Sequence, residues 1–195
     1  MITLQGLTKN FGGIAAVSGI DLTVSKGEVL GFLGPNGAGK STTMKMIAGY
    51  LTPTAGRVSI CGHDVETDTI RAQANLGYLP EGAPAYGDMT PRKFLAFIAE
   101  VRGFKGADAK KRAADAAAIT ELDPVMEKPI ETLSKGFKRR VGLAQAILHD
   151  PPALVMDEPT DGLDPNQKHS VRNLIHAMAE PHFDAEALKP LLGSL

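Results

Sequence analysis

At 195 residues, 43% of them hydrophobic, and with a formal net charge of −1, the chain has one domain's worth of sequence and enough apolar content for a core. Its balanced charge and pI of about 6.5 exclude a global basic field for nucleic acid or anionic lipid, so any anion site is local. The apolar runs fall far short of the roughly 20 residues of a bilayer span, the first ten residues do not read as a secretory signal, and the single cysteine, Cys61, suits a reducing cytoplasm.

Taken in chain order, Ile20, Leu22 and Val24 alternate with polar residues and residues 57–60 look extended, so the first third is expected to hold short half-buried strands. Lys26 and Gly27 read as a turn between two of them. Residues 29–33 form a compact apolar run predicted to be a strand, which breaks into a glycine-rich loop followed by a helix over residues 41–48. Thr90-Pro91 supplies a hydroxyl cap and a first-turn proline for a helix that Gly103 stops. An alanine-rich helix is expected over residues 108–122. Ser134 caps a third helix, with Val141, Ala144 and Leu148 on one face and Asp150-Pro151-Pro152 setting its end. Residues 153–156 read as a central strand buried on both faces, ending in Asp157-Glu158. Asp164-Pro165 then starts a last helix with Val171, Leu174, Ile175 and Met178 along its apolar stripe. The whole is expected to be a single α/β domain over residues 1–195, with a helical subdomain at about residues 84–150.

Gly34, Pro35, Asn36, Gly37, Ala38, Gly39, Lys40 and Ser41 fit G-x-x-x-x-G-K-[ST], in which small residues let successive backbone N–H groups wrap phosphate oxygens. The following helix points its positive end at the anion, with Thr42 in its first turn. Lys40 can reach the β- and γ-phosphates of a nucleoside triphosphate, and the Ser41 hydroxyl can ligate Mg2+. Asp157 and Glu158 lie just past a strand end, where α/β folds place ligands. Asp157 is expected to hold Mg2+ through water, and Glu158 to orient and deprotonate the attacking water.

Together these motifs resemble the ATP-binding subunit of an ABC transporter, over residues 1 to about 179. Leu133-Ser134-Lys135-Gly136-Phe137 stands where that family's L-S-G-G-Q signature lies, and the resemblance implies that Ser134 and Gly136 meet the γ-phosphate held by a second subunit. It also implies that Phe11 stacks on adenine with Val17 nearby. Glu81 replaces a glutamine that touches Mg2+ and the water, a variant similar to ABC-2-type exporter and gliding-motility-like subunits. Asp164, in Asp161-Gly162-Leu163-Asp164, is implied to cross the subunit interface. The expected fold is therefore a P-loop NTPase of ABC type with an N-terminal antiparallel β region and a helical subdomain. The expected cofactors are ATP and Mg2+. The expected partners are a membrane permease and a second cassette in a homodimer or heterodimer, with no nucleic acid, at the cytoplasmic face of the membrane.

The likeness stops near Ala179. The family continues with a β-branched strand delivering a histidine, whereas residues 180–195 contain no Val or Ile and have helical character. His182 is read as an ordinary tail residue, and His63, His149, His169 and His176 as non-catalytic. The final strand is expected to be missing, as in a truncated or frame-shifted cassette. Two readings follow: an ATP-driven motor subunit, or a product that binds ATP and cannot hydrolyse it or cycle.

Overall fold

A computed structural model describes residues 1–82, 85–160 and 163–179. The described residues divide into two compact units, one built from residues 1–78 and 151–157, the other from the described residues between 79 and 150 and between 158 and 179. The reading of the tail lies outside the described residues, as do Asp161 and Gly162.

The first unit is organised by β1 (Ile2–Phe11), which pairs antiparallel with both β2 (Ile14–Val24) and β3 (Ala55–Ile60). The two-residue β4 (His63–Asp64) completes a sheet of order β2-β1-β3-β4. Leu4, Leu7, Val58 and Ile60 supply its buried face. The ladder carries one extra residue on β1 between Leu4 and Leu7, opposite β2, and between Gln5 and Thr8, opposite β3. That bulge is built on Gly6, whose φ of +56° is left-handed. Its freed N–H donates to Asp21 Oδ1 at 2.7 Å, and the Thr8 hydroxyl donates to its carbonyl at 3.1 Å. Gly56, φ +86°, passes so close that a Cβ there would lie 2.3 Å from the Gly6 oxygen, so the pairing of β3 with β1 requires glycine at position 56.

Helix α1 (Lys40–Ile47) buries Thr43, Met46 and Ile47, and packs against β2, β3 and β6 (Ala153–Met156). Short α2 (Thr69–Ala74) follows β4 and buries Ala72. β5 (Leu76–Leu79) pairs with β6. The core joins Leu4, Leu7, Val58 and Ile60 to Met46, Ile47, Val65, Leu76, Ala153 and Val155.

Two expectations are overturned here. β6, read as a central strand buried on both faces, pairs among the described residues with β5 alone and alternates buried with half-buried residues. Lys26 and Gly27 do turn, but residues 29–33 form no strand, and the side chains of Val29, Leu30 and Leu33 are exposed, Leu33 at 94%. An apolar run becomes a buried strand only when neighbours offer ladder bonds on its edges and cover on its faces. This one carries Gly31 at its centre, which weakens any strand, and among the described residues β6 pairs with β5 instead.

The second unit holds α3 (Pro91–Val101), α4 (Gly106–Ile119), α5 (Lys135–Ile147) and α6 (Pro165–Ala179). Local chemistry sets their ends as expected. The Thr90 hydroxyl accepts from Lys93 N at 3.4 Å, Ser134 Oγ from Phe137 N at 3.3 Å, and Asp164 Oδ1 from Gln167 N at 2.9 Å. Helix α4 ends at Ile119, earlier than expected, because Thr120 turns its hydroxyl onto the Ala116 carbonyl at 2.8 Å and Glu121 then adopts φ +54°. Arg140 pairs with Glu121 at this corner. No helix among the described residues is long and apolar enough to cross a membrane.

Candidate functional site

The phosphate loop belongs to the first unit. Gly39 stands at the N-cap of α1 with φ +84°, and a Cβ there would lie 2.3 Å from the Ala16 oxygen and 3.0 Å from Val17 Cγ2. The loop is thus seated on β2, and glycine is the one residue that fits both the conformation and the gap. Because Gly39 has no side chain, no cap closes the start of α1, and the N–H groups of its first turn, at Lys40, Ser41 and Thr42, need an outside acceptor. A helix start of this kind can accept an anion, which the helix dipole also favours. Gly37, also left-handed at φ +83°, lies in open space, and Ala38 N donates to the Pro35 carbonyl at 3.2 Å. Lys40 Nζ donates to the Gly34 carbonyl at 2.6 Å and the Pro35 carbonyl at 2.9 Å, so the ammonium is already held inside the loop it serves.

Asp157 follows β6 in the same unit and is buried, at 3% exposure. Its carboxylate acts on Tyr78, whose hydroxyl pKa is pushed up to about 12, first by burial, then by Asp157 and Tyr50. The Tyr78 and Tyr50 rings lie 5.5 Å apart. Ser41 on α1 and Asp157 after β6 are oxygen donors on elements packed together. No group of three or more His, Cys, Asp or Glu that could hold a metal occurs among the described residues. That donor set suits Mg2+, which keeps water and takes one or two protein oxygens alongside substrate phosphates.

Phe11 ends β1 with its side chain 50% exposed, so it is not a core residue; Lys9 Nζ lies 5.3 Å from the ring centroid. Val17 is buried, with its methyl facing Gly39. The first unit therefore brings together the loop, Val17 and α1, with Asp157 at the end of β6.

Glu81, Ser134, Gly136 and Glu158 belong to the second unit. Ser134 and Gly136 open α5, and a Cβ on buried Gly136 would meet Gln167 Oε1 of α6 at 2.6 Å. Glu81 is exposed in a turn with Gly82. Glu158 is exposed and left-handed, at φ +48°. Sequence reasoning assigned no role to Arg139, which is 6% exposed and donates from one terminal nitrogen to the Pro80 carbonyl at 2.7 Å and from the other to the Glu158 carbonyl at 2.5 Å. The available signal was its place at helical spacing with Gly136 and Leu143, both buried on α5.

Known proteins resemble the chain over most of its length. The family model described as ABC transporter matches residues 17–161. The chain is 37% identical over 181 residues to the daunorubicin/doxorubicin resistance ATP-binding protein DrrA of Streptomyces peucetius, covering 92% of this chain and 54% of that protein. It is 35% identical over 180 residues to the linearmycin resistance ATP-binding protein LnrL of Bacillus subtilis (strain 168), covering 92% of this chain and 58% of the other. The chain spans between about a third and three-fifths of the length of such curated relatives. Among solved structures, the dimeric ATP-binding cassette MJ0796, in a post-hydrolysis state with ADP and phosphate, superposes with a TM-score of 0.84 at 25% identity, over 92% of this chain and 83% of that one.

Proposed function

The chain belongs to the ABC transporter family, and on that premise we propose that it is an ATP-binding motor subunit that couples ATP binding and hydrolysis to a partner membrane permease at the cytoplasmic face. The observation that carries the reading is the phosphate loop: an uncapped α1 start seated on β2, with Lys40 Nζ inside the loop and Ser41 in the first turn. Backbone N–H groups there would bind the β- and γ-phosphates, and Lys40 would exchange its two carbonyl partners for phosphate oxygens. Mg2+, held by Ser41 and by Asp157 through water, would neutralise charge on the transferring phosphoryl group. Glu158 would take the proton of the attacking water, a role typically worth about 10²- to 10⁴-fold, and Glu81 would orient that water. Phe11 would stack on the base, with Val17 backing the loop. Ser134 and Gly136, at the start of α5, would receive the γ-phosphate bound by a second cassette, and Asp164 would contact that cassette.

A second reading, favoured by the absence of Val and Ile from residues 180–195, is a chain that binds ATP without cycling. Affinity for Mg-ATP and steady-state turnover, measured on the wild-type chain and on Glu158→Gln, separate the two. The motor reading expects turnover that falls steeply in Glu158→Gln while ATP stays bound. The second expects binding with background turnover in both chains. A wild-type chain that does not bind Mg-ATP refutes both.

A further inference from the structure

A guanidinium on a buried helix stripe is costly unless its N–H groups are satisfied. Arg139 occupies such a place on α5, at helical spacing with buried Gly136, Leu143 and Ala146. Its two terminal nitrogens reach main-chain carbonyls on two separate segments. One is Pro80, directly after β5 and directly before Glu81. The other is Glu158, two residues past the end of β6. Both of these contacts are to main-chain carbonyl oxygens. They hold backbone.

The backbone they hold is strained. Glu158 adopts φ +48°, a left-handed conformation costing a non-glycine residue about 1–2 kcal/mol. It also precedes Pro159, whose ring crowds the preceding residue and favours extended backbone there. A conformation doubly disfavoured by local sterics persists only where neighbours over-determine it.

We propose that Arg139 is a positioning residue of the hydrolytic site: it fixes the left-handed backbone of Glu158 and registers it against the segment bearing Glu81. Because Arg139 lies five residues past Ser134 on the same helix, both carboxylate-bearing segments are referred to the helix that opens with Ser134 and Gly136. Loading at the α5 N-terminus therefore bears directly on the backbone of the general base. The assignment rests on the reading of Glu158 as that base.

The test is site-resolved amide exchange on the full chain, with Mg-ATP affinity and turnover measured on the same preparations. In Arg139→Gln, exchange at Glu81, Gly82, Glu158 and Thr160 should accelerate at least about ten-fold, while the amides of residues 141–147 in α5 stay within about two-fold. ATP affinity should be retained within about two-fold, since the phosphate loop belongs to the other unit, and any wild-type turnover should fall at least about ten-fold in kcat. Arg139→Lys, which keeps the charge and can serve one carbonyl at a time, should fall between and guards against simple misfolding. In a Glu158→Gly background, where left-handed backbone carries no steric cost, Arg139→Gln should accelerate Thr160 exchange by a factor at least about three-fold smaller. Unchanged exchange at these four amides, acceleration spread equally along α5, or an undiminished effect in the glycine background would overturn the proposal. Failure of the wild-type chain to bind Mg-ATP would refute the nucleotide reading instead, and the exchange ratios would still decide what Arg139 holds.

Discussion

Replacing Gly39 by alanine separates the two reasons for a glycine at the head of α1. At φ +84° any Cβ costs about 1–2 kcal/mol, partly offset by the 0.4–1 kcal/mol gained from a stiffer unfolded chain. The Cβ would also lie 2.3 Å from the Ala16 carbonyl oxygen, so loop or strand must give by about 1 Å, an overpacking term of about 1–3 kcal/mol. Gly37 is the control: its φ is +83°, yet nothing lies within 4 Å of its Cβ position. The conformational cost is common to both variants and the contact belongs to Gly39→Ala alone. The expected difference is about 1–3 kcal/mol, or roughly 3–10 °C in melting temperature for a chain of this size. Thermal unfolding of the two variants measures it directly. Calorimetric titration with Mg-ATP should show the larger affinity loss in Gly39→Ala, since a shifted α1 start misaligns the N–H groups that face phosphate. Equal melting temperatures, within about 1 °C, would refute the claim that the loop is seated on β2.

Lys40→Ala should weaken Mg-ATP binding by about ten- to a hundred-fold, on the order of one or two charge-assisted hydrogen bonds; unchanged calorimetric affinity would remove the loop from the site. Phe11→Ala should weaken ATP by about five- to a hundred-fold, as loss of base stacking does, and inorganic triphosphate much less; equal losses would return Phe11 to a structural role. Tyr78 holds its proton more tightly folded than unfolded, so its contribution to stability is complete below about pH 10 and is lost as pH rises through about 12. Tyrosinate absorbance should show a step at about pH 12 that Tyr78→Phe removes. Stability near neutral pH should hardly change in that variant, because the buried hydroxyl has no hydrogen-bond partner among the described residues.

What was legible in the sequence follows from how far each signal reaches along the chain. Thr90, Ser134 and Asp164 were readable as helix starts because a cap is made between residues three apart. The phosphate loop was readable because its glycines, lysine and hydroxyl are contiguous. Strand β1 escaped notice because the bulge at Gly6 breaks its alternation, and that bulge is stabilised by Asp21, fifteen residues away. Residues 29–33 misled for the converse reason: apolar composition is local, whereas the neighbours that would make it a strand are not. Arg139 and the left-handed turn at Glu158 depend on carbonyls 59 and 19 residues from the arginine, a pairing no window of sequence displays.

The grip of Lys40 on the Gly34 and Pro35 carbonyls has a consequence for which anions the loop admits. With its cation already solvated by its own backbone, the loop is not a bare electropositive ring, and on the proposed reading an anion would have to replace two good carbonyl contacts. A chloride or a carboxylate offers the ammonium little beyond what it gives up. A polyphosphate offers it more than one charged oxygen while filling the first-turn N–H groups of α1. On the proposed reading the loop would thus discriminate by valence before any shape is read, and monovalent anions would be poor competitors for it.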